Sequence, residues 1–237
     1  VNAKAINISG ISASDKIYDA TTDVSVDASA AAGWIAGDDV SVSATGVFDD
    51  KNVGTDKTVT LSSNYSGDDV SNYTITDQAT TTADVTAKAI NITGISASDK
   101  VYDATTDASV NASAAAGWIA GDDVSVSATG VFDDKNVGTD KTVTLSSSYS
   151  GDDVSNYTIA DQATTTADVT QKALMLSGIV AADKTYDANT TASINVDNAV
   201  YDGLISGDVV SVAATGVFDD KNVGTDKTVT LTSNYSG

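Results

Sequence analysis

Aspartate offers the most chemistry in this chain, and it crowds into one loop that occurs three times. The first occurrence, residues 49–56, holds three carboxylates around a glycine, together with the side-chain amide of Asn52. Calcium takes six to eight oxygen ligands from carboxylates, amides and backbone carbonyls. The sequence therefore indicates a candidate calcium site in each copy of the loop. The candidate ligands are Asp49, Asp50, Asp56, Asp133, Asp134, Asp140, Asp219, Asp220 and Asp226.

The same loop supports a second interpretation, in which lysines neutralise the aspartates. Lys51 and Lys57 lie beside the three acids, and the loop lacks the D-x-[DN]-x-[DN]-G spacing of an EF-hand. In the third copy Val209 replaces Asp39, an acid of a neighbouring turn, so Asp39 is not required as a ligand in every copy. Calcium binding and ion pairing both stay open at this point.

Most catalytic chemistry lacks its usual residues here. The chain has no His, Cys, Glu, Arg or Pro, so its 33 acids are all Asp and its 12 bases are all Lys. Nucleophilic triads need His or Cys, and zinc and copper sites prefer the same residues. Pairs of Asp could serve glycoside hydrolysis, but the same Asp residues recur from copy to copy, which suits a structural module better. We expect no enzymatic activity.

The chain is strongly acidic, with a formal net charge of −21 at pH 7. Such a field repels nucleic acid and anionic lipid, because their binding needs patches of Lys and Arg. No apolar run approaches the roughly 20 residues that span a bilayer. We expect no nucleic-acid partner and no direct membrane insertion. No signal peptide is visible, so we expect a mature chain or a piece of a longer one.

Internal repetition defines the organisation of the chain. Residues 3–86 recur as residues 87–170, a period of 84, with only six substitutions, and a more divergent third copy starts at Gln171. A repeat of this length can form a domain of its own. We therefore expect three domains, comprising residues 1–86, 87–170 and 171–237.

Each copy has the pattern of a series of short strands. Apolar and polar residues alternate in segments such as 5–9, 40–43 and 58–62, which are rich in Val, Ile and Thr. Clusters of Gly, Asp and Asn separate these segments. Six or seven strands about ten residues apart predict an all-β fold of tandem Ig-like, antiparallel Greek-key sandwiches. A helical turn is expected only in the Ala-rich segment 28–36, which Gly37 would end.

The junction between the first two copies contains no flexible linker. Residues 83–86 lead directly into residues 87–92 without a Gly, Pro or Ser-rich spacer. We therefore expect the last strand of one repeat to run into the first strand of the next. This predicts an elongated, stiff rod in which each repeat has its sequence neighbours as partners.

The third copy stops earlier than the other two. It ends at Gly237, without a counterpart of residues 68–86. We expect this domain to be C-terminally truncated, with a row of unpaired backbone groups at its edge. That edge would fray or would accept a strand from a neighbouring molecule by strand exchange.

Several motifs recur in a fixed order. Residues 46–61 return unchanged at 130–145 and 216–231, an Asp-Lys-x-Tyr-Asp-Ala motif begins at Asp15, and Asn-Tyr-Thr-Ile occupies 72–75. This combination resembles the YDG-type repeat, which often accompanies MBG-type repeats in very large bacterial surface adhesins, including filamentous-haemagglutinin-like and biofilm-matrix adhesins. The resemblance covers essentially the whole chain. It implies the fold and an extracellular location on the bacterial cell surface, but it names no ligand.

One position departs from the family that the chain resembles. Ala20, Ala104 and Ala188 stand where the family name has glycine. Alanine rarely adopts a positive φ angle. The alanines therefore weaken the case for a turn that needs a positive φ there, without affecting the resemblance.

The aromatic residues have a packing and a binding interpretation. Trp34 and Trp118 could stack on sugars, but the third copy has Leu204 at that place, which a packing position tolerates better than a stacking platform. The tyrosine of the Lys-x-Tyr-Asp motif is expected to pack its ring at the edge of the core and to bond its hydroxyl to backbone. Its copies are Tyr18, Tyr102 and Tyr186.

An intramolecular Lys–Asn isopeptide bond is a further hypothesis. It would need Lys4 or Lys16 beside Asn72, with an Asp as proton shuttle in an apolar pocket. Ordinary hydrogen bonding is the alternative.

Two functions from different classes fit these observations. In the first, the chain is a structural stalk of an extracellular adhesin that projects a binding region and supports cell adhesion or biofilm formation. In the second, each repeat binds extracellular polysaccharide or a host-surface glycan weakly, and repetition supplies avidity. Solvent-facing aromatic rings would favour glycan binding, and buried rings would favour the stalk.

Overall fold

The computed structural model describes all residues of the chain, 1–237, as short and long β-strands joined by turns. The expected all-β class is confirmed. The helical segments are two 3₁₀ turns, Val70–Asn72 and Val154–Asn156. The helical turn expected at 28–36 is wrong. Residues 28–38 instead contain two tight turns, in which Ala31 donates to Ala28 and Asp38 donates to Ile35, and Ala32 between them forms a β-bridge with Ser9. The structure contains no helix with the length and hydropathy that a membrane span requires.

The strands follow the repeats. The first repeat contains β1 (Lys4–Asn7), β2 (Ser12–Ala13), β3 (Lys16–Ile17), β4 (Asp23–Val24), β5 (Val26–Asp27), β6 (Ser41–Phe48), β7 (Gly54–Ser66), β8 (Tyr73–Thr76) and β9 (Thr80–Thr86). The second contains β10 (Lys88–Asn91), β11 (Ser96–Ala97), β12 (Lys100–Val101), β13 (Asp107–Ala108), β14 (Val110–Asn111), β15 (Ser125–Phe132), β16 (Gly138–Ser150), β17 (Tyr157–Ala160) and β18 (Thr164–Thr170). The third contains β19 (Met175–Ser177), β20 (Val180–Ala181), β21 (Thr191–Ala192), β22 (Ile194–Asn195), β23 (Val200–Asp202), β24 (Ser211–Phe218) and β25 (Val229–Ser236).

The chain folds as two compact units that do not coincide with the repeats. The first unit consists of Val1–Ala97, Ser109–Gly130 and Val143–Thr165, so it holds the whole first repeat and part of the second. The second unit consists of Ser98–Ala108, Val131–Thr142 and Thr166–Gly237.

A five-stranded sheet forms the frame of the first repeat, in the order β3-β9-β7-β6-β4. Its long strands β6, β7 and β9 pair antiparallel, as the alternation suggests. Two other pairs are parallel, β3 with β9 and β1 with β8. This differs from the purely antiparallel arrangement expected, because a period of two specifies which residues face the core but not the direction of the neighbouring strand.

The core of the first unit is built from the inward-facing residues of these strands. Val59 is 0 % exposed and Val85 is 1 % exposed. Burial of a side chain of this size contributes about 1.5–3 kcal/mol relative to leaving it in water. Gly46 permits the packing, since a Cβ there would lie 2.7 Å from a methyl carbon of Val59 and 2.8 Å from one of Val26.

The third repeat has a smaller sheet, with three strands in the order β21-β24-β25. Leu231 on β25 is 41 % exposed, whereas its counterpart Leu61 is 9 % exposed in the first repeat. A cavity of about 460 Å³ lies beside this sheet, lined by Lys184, Gly224 and Lys227 among others. In the first repeat the counterparts of these three residues pair with Ala83 and Val85 of β9. The cavity therefore corresponds to the place that the end of β9 occupies in the first repeat.

Candidate interaction site at the repeat junction

The Asp-rich loop is held together by lysine rather than left open. The Lys57 Nζ lies 3.2 Å from a carboxylate oxygen of Asp49 and 2.8 Å from one of Asp50. The Asp50 carboxylate also accepts the N–H of Asn52, at 2.7 Å. The Lys57 ammonium, together with this backbone N–H, lowers the pKa of Asp50 below its ordinary value. The carboxylates thus act as internal braces of the loop.

The third acid of the loop, Asp56, has a backbone role. It lies in the irregular stretch where the pairing of β7 with β9 shifts between Gly54 and Lys57, and its φ angle is 49°. Its N–H donates to the Asp84 carboxylate at 2.8 Å. Asp tolerates a left-handed backbone better than most residues, which explains its place in this bulge.

The other two loops repeat this arrangement. Lys141 pairs with Asp133 and Asp134, and Lys227 pairs with Asp219 and Asp220. Asp140 and Asp226 again have positive φ angles, of 49° and 53°. The structure gathers no group of three or more acidic side chains that could hold a metal ion. Calcium binding by these loops stays a prediction, and the ion pairs favour the alternative interpretation.

Lys51, at the tip of the first loop, bonds to the second repeat instead of its own loop. Its Nζ lies 2.8 Å from a carboxylate oxygen of Asp122 and 2.8 Å from one of Asp153. These two acids raise the pKa of Lys51 above its ordinary value, so the ammonium stays charged. The bracing of the loop by Lys57 presents Lys51 in this direction.

Asp122 is the centre of the junction. Its side chain is 2 % exposed, and it accepts the Tyr18 hydroxyl at 2.8 Å and the Tyr157 hydroxyl as well. Burial raises the pKa of Asp122, but the bonds from Lys51, Tyr157 and Tyr18 outweigh it and hold the pKa below its ordinary value. Burial and the bond to Asp122 raise the pKa of Tyr157 to about 12. The carboxylate therefore stays ionised and the phenols stay neutral near pH 7.

Asn156 completes the junction with the hydrogen bonds of its side-chain amide. It is 0 % exposed, it accepts the N–H of Val53 at 2.9 Å, and its amide donates to the Asn52 side chain at 3.0 Å. It also donates to Asp153. A buried amide with these partners is costly to replace, because the Val53 N–H and the Asn52 side-chain oxygen would each lose this hydrogen bond.

The ring of Tyr18 packs as expected, but its hydroxyl has a different partner. Its ring is 0 % exposed and packs edge-on against the ring of Tyr157, with centroids 5.4 Å apart. The expected core position is therefore found. The expected bond from the hydroxyl to backbone is wrong, because the hydroxyl donates to the side chain of Asp122 in the following repeat.

The second junction repeats part of this chemistry within the second unit. The Tyr102 hydroxyl donates to Asp208 at 3.0 Å, and the Lys135 Nζ lies 3.6 Å from the same carboxylate. Lys135 also lies 5.8 Å from the centroid of the Tyr102 ring. At both junctions, therefore, the tyrosine of the Lys-x-Tyr-Asp motif and the lysine at the tip of the Asp-rich loop contact one aspartate of the following repeat.

The turn after the tyrosine of the Lys-x-Tyr-Asp motif has a positive φ angle at its alanine in all three repeats. Ala20, Ala104 and Ala188 have φ angles of 65°, 64° and 64°. The turn therefore has a positive φ although alanine weakens the case for one, and the Lys16 ammonium holds it. It donates to the Asp19 carboxylate at 2.7 Å and to two backbone carbonyls further along the chain.

The two tryptophans and the residues of the isopeptide hypothesis make ordinary packing contacts and hydrogen bonds. Trp34 and Trp118 are partly buried and pack against the core of the first unit. Lys16 is engaged with the turn just described, while the Asn72 amide donates to Asp69 at 3.2 Å. Lys4 pairs in register with Tyr73, the residue after Asn72. An isopeptide bond stays a hypothesis, and Lys16 is placed for hydrogen bonding instead.

The sequence pointed to the loop but not to the junction residues. The recurring Asn-Tyr-Thr-Ile motif marks Asn156 and Tyr157 as copies of Asn72 and Tyr73. No pattern in the sequence assigns them, or Asp122 and Asp153, to a junction, because they lie in two separate segments of the second repeat. One signal was available, since Lys51, Asn52 and Val53 belong to the 16-residue segment that is identical in all three copies.

Comparisons with known proteins agree with this repetition. A family model described as the YDG domain matches three times, over residues 2–83, 86–167 and 170–237. Neither the curated proteins nor the solved structures include a chain that matches this one.

Proposed function

Because the chain belongs to the YDG domain family along nearly its whole length, we propose that it is a structural stalk in an extracellular bacterial adhesin. In this role the repeats hold a binding region away from the cell surface and support adhesion or biofilm formation. The chain itself carries out no catalysis.

The observation that carries this proposal is the bonded junction between the first two repeats. β9 ends at Thr86 and β10 begins at Lys88, so a single residue separates the two strands. Across this short connection, Lys51, Asp122 and Asn156 form buried or half-buried bonds. A connection that is both short and bonded resists bending, which a spacer needs and an independent binding module does not.

The placement of the charged groups also supports a structural role. Lys57 and its counterparts occupy the loop carboxylates, and Lys51 occupies those of the junction. The net charge of −21 favours solubility and discourages non-specific aggregation. The chain contains no cysteine, so ion pairs, and not disulfides, link its loops and its junction.

Glycan binding is the alternative function. Most aromatic rings of the first unit are buried or partly buried, which favours the stalk, although Tyr186 and Tyr235 of the second unit are 55 % and 63 % exposed. Tyr18, Phe48 and Tyr73 are buried, and both tryptophans pack against the core. A sugar-stacking platform needs an exposed ring face. A glycan array probed with the full chain tests this directly, and we expect no bound glycan.

The stalk role is tested by placing the 237-residue chain between a cell-surface anchor and a binding head of known target. Capture of target-coated beads by these cells is expected to exceed capture by cells that carry the head directly on the anchor. The chain displayed without a head is expected to capture nothing. Equal capture with and without the chain, or capture of uncoated beads by the chain alone, would contradict the proposal.

We also propose that the edge of the third repeat accepts a strand from another molecule. The cavity beside its sheet corresponds to the place of Ala83 and Val85 in the first repeat, both nearly fully buried there. A peptide with the sequence of residues 68–86 is therefore expected to bind the full chain and raise its melting temperature. A peptide in which both of these residues are Asp is the control. Equal effects of the two peptides would contradict strand addition.

A further inference from the structure

The opening and closing segments of the first repeat run side by side in the same direction. β1 pairs in parallel with β8, starting with Lys4 beside Tyr73, and β3 pairs in parallel with β9, ending with Ile17 beside Thr86. The register is the same in both pairs, so the two pairs belong to one continuous arrangement. The N–H of Tyr18 closes it by donating to the Thr86 carbonyl at 2.8 Å.

Side chains join the two segments where the backbone ladder is interrupted. The Gln78 carboxamide accepts the N–H of Ile11 at 3.0 Å and donates to the Ile11 carbonyl at 2.7 Å, as a peptide group of a neighbouring strand would. Further along, the N–H of Asp84 donates to the Asp15 carboxylate at 2.8 Å, across 69 positions of the chain. Hydrogen bonds therefore connect the two segments from one end to the other.

The second repeat has the same contacts. β10 pairs in parallel with β17, and β12 pairs in parallel with β18. Gln162 again bonds both the N–H and the carbonyl of Ile95, at 3.0 and 2.7 Å. The N–H of Asp168 donates to Asp99 at 2.8 Å. The arrangement is therefore a property of the repeat and does not depend on its position in the chain.

The parallel direction of the pairing decides how tension acts on the repeat. The chain enters the first repeat at Lys4, where the paired segments begin, and leaves it after Thr86, where they end. A pull on the two ends therefore draws the segments lengthwise past each other. The evenly spaced bonds of a parallel ladder are then loaded together. An antiparallel pair would have both ends on the same side, and its bonds would break one after another.

The strand that carries the outgoing tension is fixed on both of its edges. β9 lies between β3 and β7 in the five-stranded sheet, and it pairs antiparallel with β7. Its inward-facing residues Ala83 and Val85 are 6 % and 1 % exposed. β9 is therefore held firmly, and the opening segment has to slide along it and β8 before the repeat unfolds.

We propose that the first two repeats are load-bearing units, in which the opening and closing segments form a shear clamp against tension along the chain. In the first repeat the clamp consists of residues 4–18 and 73–86, and Gln78 is one of its bonding residues. This function goes beyond that of a stalk, since a spacer needs reach and stiffness, whereas a tether also has to stay folded while its ends are pulled apart. Forced unfolding is governed by the rate of unfolding, so a clamp of this kind acts without a high equilibrium stability.

Single-molecule force spectroscopy on the full chain tests the clamp, because the chain has no cysteine and handles can be attached at chosen positions. Ala3→Cys with Ala89→Cys, both exposed, pulls the first repeat from opposite ends of the clamp. Ala3→Cys with Ser71→Cys, also exposed, pulls from one end, since Ser71 lies just before Tyr73.

At equal pulling speed the rupture force is expected to be roughly two-fold higher or more in the opposite-end geometry, where the bonds break together. The extension released, at roughly 3.3–3.6 Å for each residue between the handles, identifies the event as unfolding of the first repeat. Equal rupture forces in the two geometries overturn the proposal. That outcome leaves the reach of the stalk unaffected, which bead capture measures separately.

Gln78→Ala tests the side-chain part of the clamp. It is expected to lower the rupture force in the opposite-end geometry and to leave it unchanged in the other, where the bonds next to Tyr73 break before the load reaches Gln78. Thr82→Ala, exposed on β9, is the control and is expected to change neither force. A Gln78→Ala chain that loses the same fraction of its rupture force in both geometries, or loses none in either, overturns the role of Gln78.

Discussion

The Nζ of Lys51 lies 2.8 Å from a carboxylate oxygen of Asp122, although the two residues are 71 positions apart and belong to different repeats. The side chain of Asp122 is 2 % exposed, and two tyrosine hydroxyls complete its hydrogen bonding. A surface ion pair contributes little to stability, but a buried carboxylate depends strongly on its partners. This pair is therefore the contact that most directly couples one repeat to the next.

Removal of Lys51 should destabilise the chain because Asp122 would lose its counter-charge. We expect Lys51→Met to lower the free energy of unfolding by about 1–3 kcal/mol, with the partial exposure of the lysine keeping the effect below that of a fully buried pair. Lys221→Met changes the exposed counterpart in the third repeat and should stay within about 0.5 kcal/mol. Urea denaturation of the two variants and the native chain measures both changes. Equal effects of the two variants would contradict the role of Lys51.

Acid should weaken the first junction. The pKa values of Asp122 and Asp153 are lowered from 3.8, so the stability they contribute is present above that value and is lost as pH falls through their lower folded values. Many other Asp residues titrate in the same range, so the comparison must isolate this site. The difference in melting temperature between the native chain and Asp122→Asn is expected to shrink from about pH 5 to about pH 2. A difference that stays constant over this range would rule out the ionised Asp122.

Glycine should be more stable than alanine at the turn after the tyrosine motif. A left-handed backbone costs an L-residue about 1–2 kcal/mol, and glycine avoids this strain. Glycine also loses more backbone entropy on folding, which offsets about 0.5–1 kcal/mol of the gain. With a φ angle of 65° at Ala20, Ala20→Gly is expected to stabilise the chain by about 0.5–1 kcal/mol. Ala44→Gly, in the middle of β6, serves as the control and should destabilise it. A lower melting temperature for Ala20→Gly would show that the turn is not strained.

Chelation should leave the chain unchanged if lysine is the true counter-ion of the Asp-rich loops. Lys57 already lies within 3.2 Å of both Asp49 and Asp50, so a calcium ion would have to displace it. We expect the same melting temperature in EDTA and in millimolar calcium. A fall on chelation that Asp56→Ala abolishes would instead establish the calcium site that the sequence suggests.

The strand pattern was predictable because alternation is a local property. The alternating segments 5–9, 40–43 and 58–62 overlap β1, β6 and β7. The short strands Ser12–Ala13 and Lys16–Ile17 were missed, because two residues are too few to show a period. The parallel direction of β1 and β3 was also missed, since it depends on the path of the chain between strands more than 60 residues apart.

The junction could be predicted only in part. The identity of Lys51, Asn52 and Val53 in all three copies marked the segment as important, and the missing linker placed the repeats close together. The sequence could not show that Lys57 braces the loop while Lys51 crosses to Asp122, because Lys51 is the nearer of the two lysines to Asp49 and Asp50 along the chain. That choice depends on the tertiary fold, which brings a different repeat against the tip of the loop.

The rigidity of the first junction is tested most directly by a distance measurement across it. The chain has no cysteine, so Ser62→Cys and Ser146→Cys, at equivalent exposed positions of β7 and β16, provide two labelling sites for spin labels. Double electron–electron resonance on the full chain should give one narrow distance distribution, and adding Lys51→Met should broaden it. A broad distribution in the chain that retains Lys51 would contradict a bonded, stiff junction and with it the proposed role as a stalk.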